Sequence, residues 1–95
     1  MGAKEYNLPQ RVLEDITVFA QKYNVDKIIL FGSRAKGTHR ERSDIDIAVS
    51  GVKDFDTLSD EVEDLPTLYS VDLLNLDTCR NDLLLEDIRQ YGRKI

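Results

Sequence analysis

What is scarce in this chain narrows its possible functions before any motif is sought. There is no tryptophan, and methionine, histidine (His39) and cysteine (Cys79) occur once each. A single cysteine excludes an internal disulfide and a cysteine-built zinc cluster. A single histidine excludes His-rich metal sites and most Ser-His-Asp arrangements. No apolar run approaches the ~18 residues of a membrane span. The opening Met1-Gly2-Ala3-Lys4-Glu5-Tyr6-Asn7 has no apolar stretch of the kind a secretory leader needs. These features lead us to expect a cytoplasmic protein with no membrane association. With two prolines and five glycines among 95 residues, no linker interrupts the chain, and residues 1–95 are expected to form one small domain.

Positive charge is also in short supply. Lys and Arg number 13 against 18 Asp and Glu, a net charge of −5. This balance disfavours direct nucleic-acid binding, which rests on neutralising phosphates. The positive charge that exists is concentrated. Arg34, Lys36, Arg40 and Arg42 stand against the single Glu41, giving a local net of +3 in an otherwise acidic chain. Such a loop suits a few phosphates rather than a duplex, although a solvated surface loop has the same composition.

Hydrophobic spacing supplies the elements. Val12, Leu13, Ile16, Phe19, Ala20 and Tyr23 recur at three and four, predicting a helix from about Pro9 to Tyr23. Ile28-Ile29-Leu30-Phe31 reads as a short buried strand halted by Gly32, and Ser33 to Lys36 as a short helix ended by Gly37. Thr38 to Arg42 reads as polar loop. Ile45, Ile47 and Val49 alternate with Asp44, Asp46 and Ala48, the period of a strand. Phe55, Leu58, Val62 and Leu65 predict a helix ending at Pro66. Tyr69 to Leu76 predicts a third strand, with Asp72 inside it. A last helix, capped by Asp77 or Asn81, carries Leu84, Leu85, Ile88, Tyr91 and Ile95 on its apolar side. The expected fold is α/β, a small mixed three-stranded sheet packed with helices. The helical connection makes the second and third strands parallel.

Three features carry chemistry. Asp44 and Asp46 lie two apart on a strand, so both carboxylates project from one face, with Cα atoms roughly 6.5–7 Å apart. Like charges that close raise each other's pKa, and a hard divalent cation such as Mg²⁺ or Mn²⁺ relieves the repulsion. Taken alone, the pair reads equally well as two surface acids on an edge strand. Gly32-Ser33 follows a strand directly and opens a helical turn, where glycine lets a phosphate approach the main chain. Asp72, in a strand expected to be buried, is costly unless paired or metal-bound. Together, three carboxylates beside a Gly-Ser turn suit a two-metal phosphoryl or nucleotidyl transfer site.

Gly32-Ser33, ten intervening residues and Asp44-Ile45-Asp46 resemble the G-S-x(10)-D-x-D signature of the polymerase-beta-type nucleotidyltransferase superfamily. Phe31-Gly32-Ser33-Arg34-Ala35, Ser43-Asp44-Ile45-Asp46-Ile47-Ala48-Val49 and Val71-Asp72-Leu73-Leu74 extend the match. Over nearly its whole length the chain is similar to the minimal nucleotidyltransferase (MNT) subgroup, including Ile88-Arg89-Gln90-Tyr91-Gly92. The resemblance implies a minimal polymerase-beta-like fold and a site with two metal ions, Mg²⁺ or Mn²⁺. Asp44 and Asp46 would hold both ions, and Asp72 would bind the catalytic one and help deprotonate an acceptor hydroxyl. Gly32 and Ser33 would bind the terminal phosphates of ATP or another nucleoside triphosphate. Arg34 and Arg42 are further candidates for phosphate, and Ser43 for orienting the aspartate strand. Members of the subgroup commonly pair with a HEPN-family helical toxin and transfer AMP to one of its tyrosines, which implies a hetero-oligomeric partner; a homo-oligomer is also compatible. Two alternatives remain: a non-catalytic subunit that neutralises its partner by contact, and a transferase acting on a small-molecule hydroxyl of the aminoglycoside type.

Overall fold

The computed structural model describes residues 8–37, 44–65, 67 and 69–95. Helix α1 (Gln10–Lys22) buries Val12, Leu13 and Ile16, the stripe its spacing predicts. Asn24, in the left-handed region with φ 52°, turns the chain out of it. Strand β1 (Lys27–Phe31) then runs into Gly32. The four-residue helix α2 (Ser33–Lys36) ends at Gly37, a left-handed cap with φ 77° and ψ 12°. Strand β2 (Ile45–Ser50) is followed by helix α3 (Phe55–Glu63), whose first turn is capped by Asp54 accepting from the Thr57 amide and hydroxyl at 3.3 and 2.7 Å. Strand β3 (Val71–Asn75) leads to helix α4 (Asp82–Tyr91), capped by Asn81, and to strand β4 (Arg93–Lys94).

The sheet order is β3-β2-β1-β4, with β2 and β3 parallel and β1 antiparallel to both β2 and β4. The expected third strand and its parallel pairing are present, and the sheet has a fourth strand in addition. β4 has no alternating pattern to announce it. Its two residues pair with Ile29 and Leu30, and the Ile95 amide donates to the Ile28 carbonyl at 2.9 Å. Ile95 therefore belongs to this edge and not to the apolar side of α4. The chain leaves the helix at Gly92, where any Cβ would stand 2.7 Å from Ile29 Cγ2.

Strand alternation divides the apolar residues between two faces. Ile28, Leu30, Ile45, Ile47 and Val49 face α1 and α3 and form the larger core with Val12, Leu13, Ile16, Leu58 and Val62. Phe31 and Ala48 face the other way, packing with Ile88 of α4 and with Ile29, Leu74 and Leu84. Fully burying each aliphatic side chain of this kind contributes roughly 1.5–3 kcal/mol. α1 and α3 are also fastened together by Glu61, which accepts from Lys22 Nζ at 2.8 Å and from the Tyr23 hydroxyl at 2.6 Å. Those two hydrogen bonds hold the Glu61 carboxyl below its usual range. Among the described residues, no helix is long and apolar enough to cross a membrane.

Candidate active site

β2 brings the acids together. Asp46 faces the same side of the sheet as Ala48, because Ile45 and Ile47 occupy the fully buried opposite side. Asp44 precedes the strand and is exposed. Parallel pairing aligns Asp46 with Asp72, with Ile47 beside Leu73 and Ala48 beside Leu74. Neighbouring strands lie ~4.8 Å apart, so these two aspartates are side-by-side neighbours on one face. Asp46 is half-buried, and its pKa is raised, first by burial and then by the negative charges of Asp72 and Asp44. Asp46 is thus the acid on which burial and the charges of its two neighbours converge.

The expectation that Asp72 lies in a buried strand is not met. Among the described residues β3 is an outer strand paired with β2 alone, and Asp72 is exposed. α4 covers Leu74 further along the same face and leaves Asp72 open. Beside it lies an open cleft of about 300 Å³, whose lining includes Glu63, Thr67, Tyr69, Ser70 and Asp72. The third carboxylate thus stands at an accessible rim, as a group that meets an incoming molecule would.

Gly32 closes the other side. It follows Phe31, whose partner across the β1–β2 ladder is Asp46. Its backbone sits at φ 75° and ψ −155°, a region essentially restricted to glycine. A Cβ there would overlap Asp46 Oδ2 and lie 3.2 Å from Asp46 Cγ. The glycine is required twice, by its dihedral angles and by the carboxylate packed against it. Ser33 opens the α2 turn, which the Lys36 amide closes by donating to the Gly32 carbonyl at 3.2 Å.

The basic residues divide. Arg34, anticipated at a phosphate, is 4% exposed and lies over the Tyr69 ring at 5.1 Å from its centroid. Lys36 is paired with Asp87 at 2.8 Å and stands 5.1 Å from the centroid of Tyr91, tying α2 to α4. Arg40, Arg42 and Ser43 lie outside the described residues, as does the polar loop that contains them. Sequence reasoning missed Tyr69, Asp87 and Tyr91 as supports of this region. Asp87 and Tyr91, four apart on α4, share a helix face, but nothing in the sequence connects that face to Lys36.

The site can therefore present hard oxygen donors to a divalent cation. Among the described residues, no three acidic, thiol or imidazole groups already converge as a ready-made metal cluster. The fit is chemical: a half-buried carboxylate whose ionised form is disfavoured by burial and by two like-charged neighbours would be stabilised by a hard cation beside it.

Comparison with known proteins places these residues in context. The family described as polymerase beta, nucleotidyltransferase matches residues 14–95. MJ0604 of Methanocaldococcus jannaschii, whose name provisionally makes it a protein adenylyltransferase, is 40% identical over 67 residues, 68% of this chain and 67% of that protein. A chain in the crystal structure of a toxin-antitoxin with AMP-PNP matches with a TM-score of 0.67 and 26% identity, over 85% of this chain and 69% of that one. A chain in the structure of tri-AMPylated Shewanella oneidensis HEPN toxin in complex with MNT antitoxin matches with a TM-score of 0.63 over 90% of this chain and 69% of that one. Its identity is 22%, so that likeness is one of fold.

Proposed function

This chain belongs to the polymerase beta nucleotidyltransferase family, and on that premise we propose that residues 1–95 form one minimal catalytic domain that moves AMP from ATP to a hydroxyl, that of a tyrosine on a HEPN-family toxin partner. The observation that carries this reading is the alignment of Asp46 with Asp72 on one sheet face, with Gly32 packed against Asp46. The name of the archaeal relative and the toxin-antitoxin setting of the AMP-PNP complex support the choice of AMP and of a protein acceptor.

Asp44 and Asp46 would hold two Mg²⁺ ions, with Asp72 as a further ligand of one of them. When bound, the ions would neutralise charge on the attacking and leaving oxygens. The residues of this chain do the rest. The Gly32-Ser33 turn, together with Arg42, binds and orients the triphosphate, and Ser43 orients the aspartate strand. Asp72, at the open rim, accepts the proton of the acceptor hydroxyl. The acceptor oxygen bonds to the α-phosphorus, the bond from that phosphorus to the β-phosphate bridging oxygen breaks, and pyrophosphate leaves. Near-in-line placement of these atoms supplies much of the rate. The open cleft beside Asp72 leaves the acceptor side uncovered by the described residues, and a partner protein that closes it would exclude water from the site.

Intact mass spectrometry of a HEPN partner after mixing with this protein and Mg-ATP tests the proposal. One or a few AMP additions are expected, none with EDTA, and none with the Asp44→Ala/Asp46→Ala variant. A tight complex without mass change, whose toxin the double variant still neutralises, would establish the non-catalytic subunit instead. Adenylylation of an aminoglycoside and of no protein would establish the small-molecule transferase.

A further inference from the structure

Arg34 is the buried charged side chain among the described residues. A guanidinium stays charged at every working pH, so its burial is costly unless other groups replace its water. The Tyr69 ring, 5.1 Å from the guanidinium carbon, replaces part of it. The positions of the two residues matter more than the contact itself. Arg34 directly follows Ser33, in the turn after β1. Tyr69 stands just ahead of β3, three residues before Asp72. β1 and β3 are not neighbours, because β2 lies between them. Next to Tyr69, the Ser70 carbonyl accepts from the Ile45 amide at 2.8 Å, which ties the same stretch to the first residue of β2. The stack therefore reaches over the start of β2 and joins the segment carrying Gly32 and Ser33 to the segment carrying Asp72.

We infer that Arg34 and Tyr69 are positioning residues whose stack sets the place of the Gly32-Ser33 turn relative to Asp72. This rests on the nucleotidyl-transfer reading above, in which the turn holds the phosphates and Asp72 meets the acceptor. In that site the attacking oxygen and the α-phosphorus are delivered by different segments, and a misplacement of about 1 Å can cost a hundredfold in rate. Arg34, almost wholly enclosed, acts through Tyr69 rather than by lying on a phosphate. A planar guanidinium lies flat on a ring, whereas a lysine ammonium does not.

The test is a double-mutant cycle in the full chain: Arg34→Met, Tyr69→Leu and both together, with Tyr69→Phe as the ring-preserving control and Arg34→Lys in reserve if the methionine variant fails to fold. Three quantities are measured: amide hydrogen exchange, Mg-ATP binding, and kcat and KM for transfer. Tyr69→Leu should speed exchange at residues 33 and 34 about tenfold, although the substitution lies beyond β2, with Ile29 and Leu74 unchanged. It should lower kcat about tenfold or more and leave the KM for ATP within about threefold. The double variant should be no worse than either single one, and Tyr69→Phe should recover wild-type values. If Arg34→Met weakens Mg-ATP binding tenfold while Tyr69→Leu changes neither exchange at residues 33 and 34 nor kcat, Arg34 lies on the phosphate and the inference is overturned. Strictly additive effects, or lowered melting temperatures with unchanged kcat, also overturn it. A wild-type protein that transfers nothing would sink the transferase reading, while exchange would still decide whether the stack couples the two segments.

Discussion

Replacing Gly32 with alanine separates what the backbone demands at that position from what the site demands. With φ 75° and ψ −155°, a residue with a side chain carries a strain of about 1–3 kcal/mol. The added Cβ would overlap Asp46 Oδ2 and sit 3.2 and 3.4 Å from Asp46 Cγ and Cβ, so the carboxylate must swing away. Gly37 is the control within the same turn. Its φ of 77° and ψ of 12° are also left-handed, but no described atom lies within 4 Å of the Cβ position. Alanine there carries the left-handed cost alone, about 1–2 kcal/mol. In a domain of this size each kcal/mol lowers the melting temperature by about 4–8 °C. Gly37→Ala should therefore melt roughly 4–16 °C lower, with the carboxylate undisturbed. Gly32→Ala should melt at least as far down and lose about a hundredfold in AMP transfer, because the displaced carboxylate is a reacting-site group. Scanning calorimetry and initial rates read both effects. A Gly32→Ala protein that transfers within about threefold of wild type would show that the turn need not pack against Asp46, and the account of the site built on that contact would fall.

Two further predictions concern charge and capping. The pKa of Asp46 is raised above its ordinary 3.8 by burial and by Asp72 and Asp44, so its contribution to stability is full below the unfolded value and is lost as pH rises through the folded one. Asp46→Asn should thus melt above wild type at neutral pH, with the gap closing below about pH 4, and should abolish transfer; a variant that melts lower at pH 7 would contradict this. Asp54→Ala removes the cap that accepts from Thr57 and should cost about 1 kcal/mol, or 4–8 °C. Transfer by the folded Asp54→Ala protein should remain at the wild-type rate, because Asp54 caps the first turn of α3, whereas the cleft beside Asp72 is lined by Glu63 at the last.

What could be read from the sequence was whatever neighbouring residues encode. The α1 stripe, the alternation of β2, the Gly32 and Gly37 boundaries of α2 and the parallel pairing of β2 with β3 all follow from spacing and connection length. So does the placing of Asp44 and Asp46 near each other. What escaped depends on partners far away in the chain. β4 is a strand only because β1 offers it an edge, and two residues carry no period. The exposure of Asp72 follows from α4 covering Leu74 and leaving Asp72 open, a property of the packing between layers and not of Val71-Asp72-Leu73. Arg34 reads as a candidate for phosphate, with solvated surface as the alternative, and nothing local points to Tyr69. The composition that makes a basic loop gives no sign that Arg34 and Lys36 are engaged within the fold.

The joining of β2 to β3 also fixes the order in which the acids meet. Gly32 and Asp46 belong to the antiparallel β1–β2 pair, whose partners are close along the chain. Asp72 arrives only after α3 has carried the chain back to lie parallel to β2. Parallel pairing across such a crossover is the slower event in folding. On the proposed reading, Asp72 is the group that takes the acceptor proton, so a folding chain lacks its base until the crossover has docked. Maturation of activity is thereby tied to the late, long-range step of assembly.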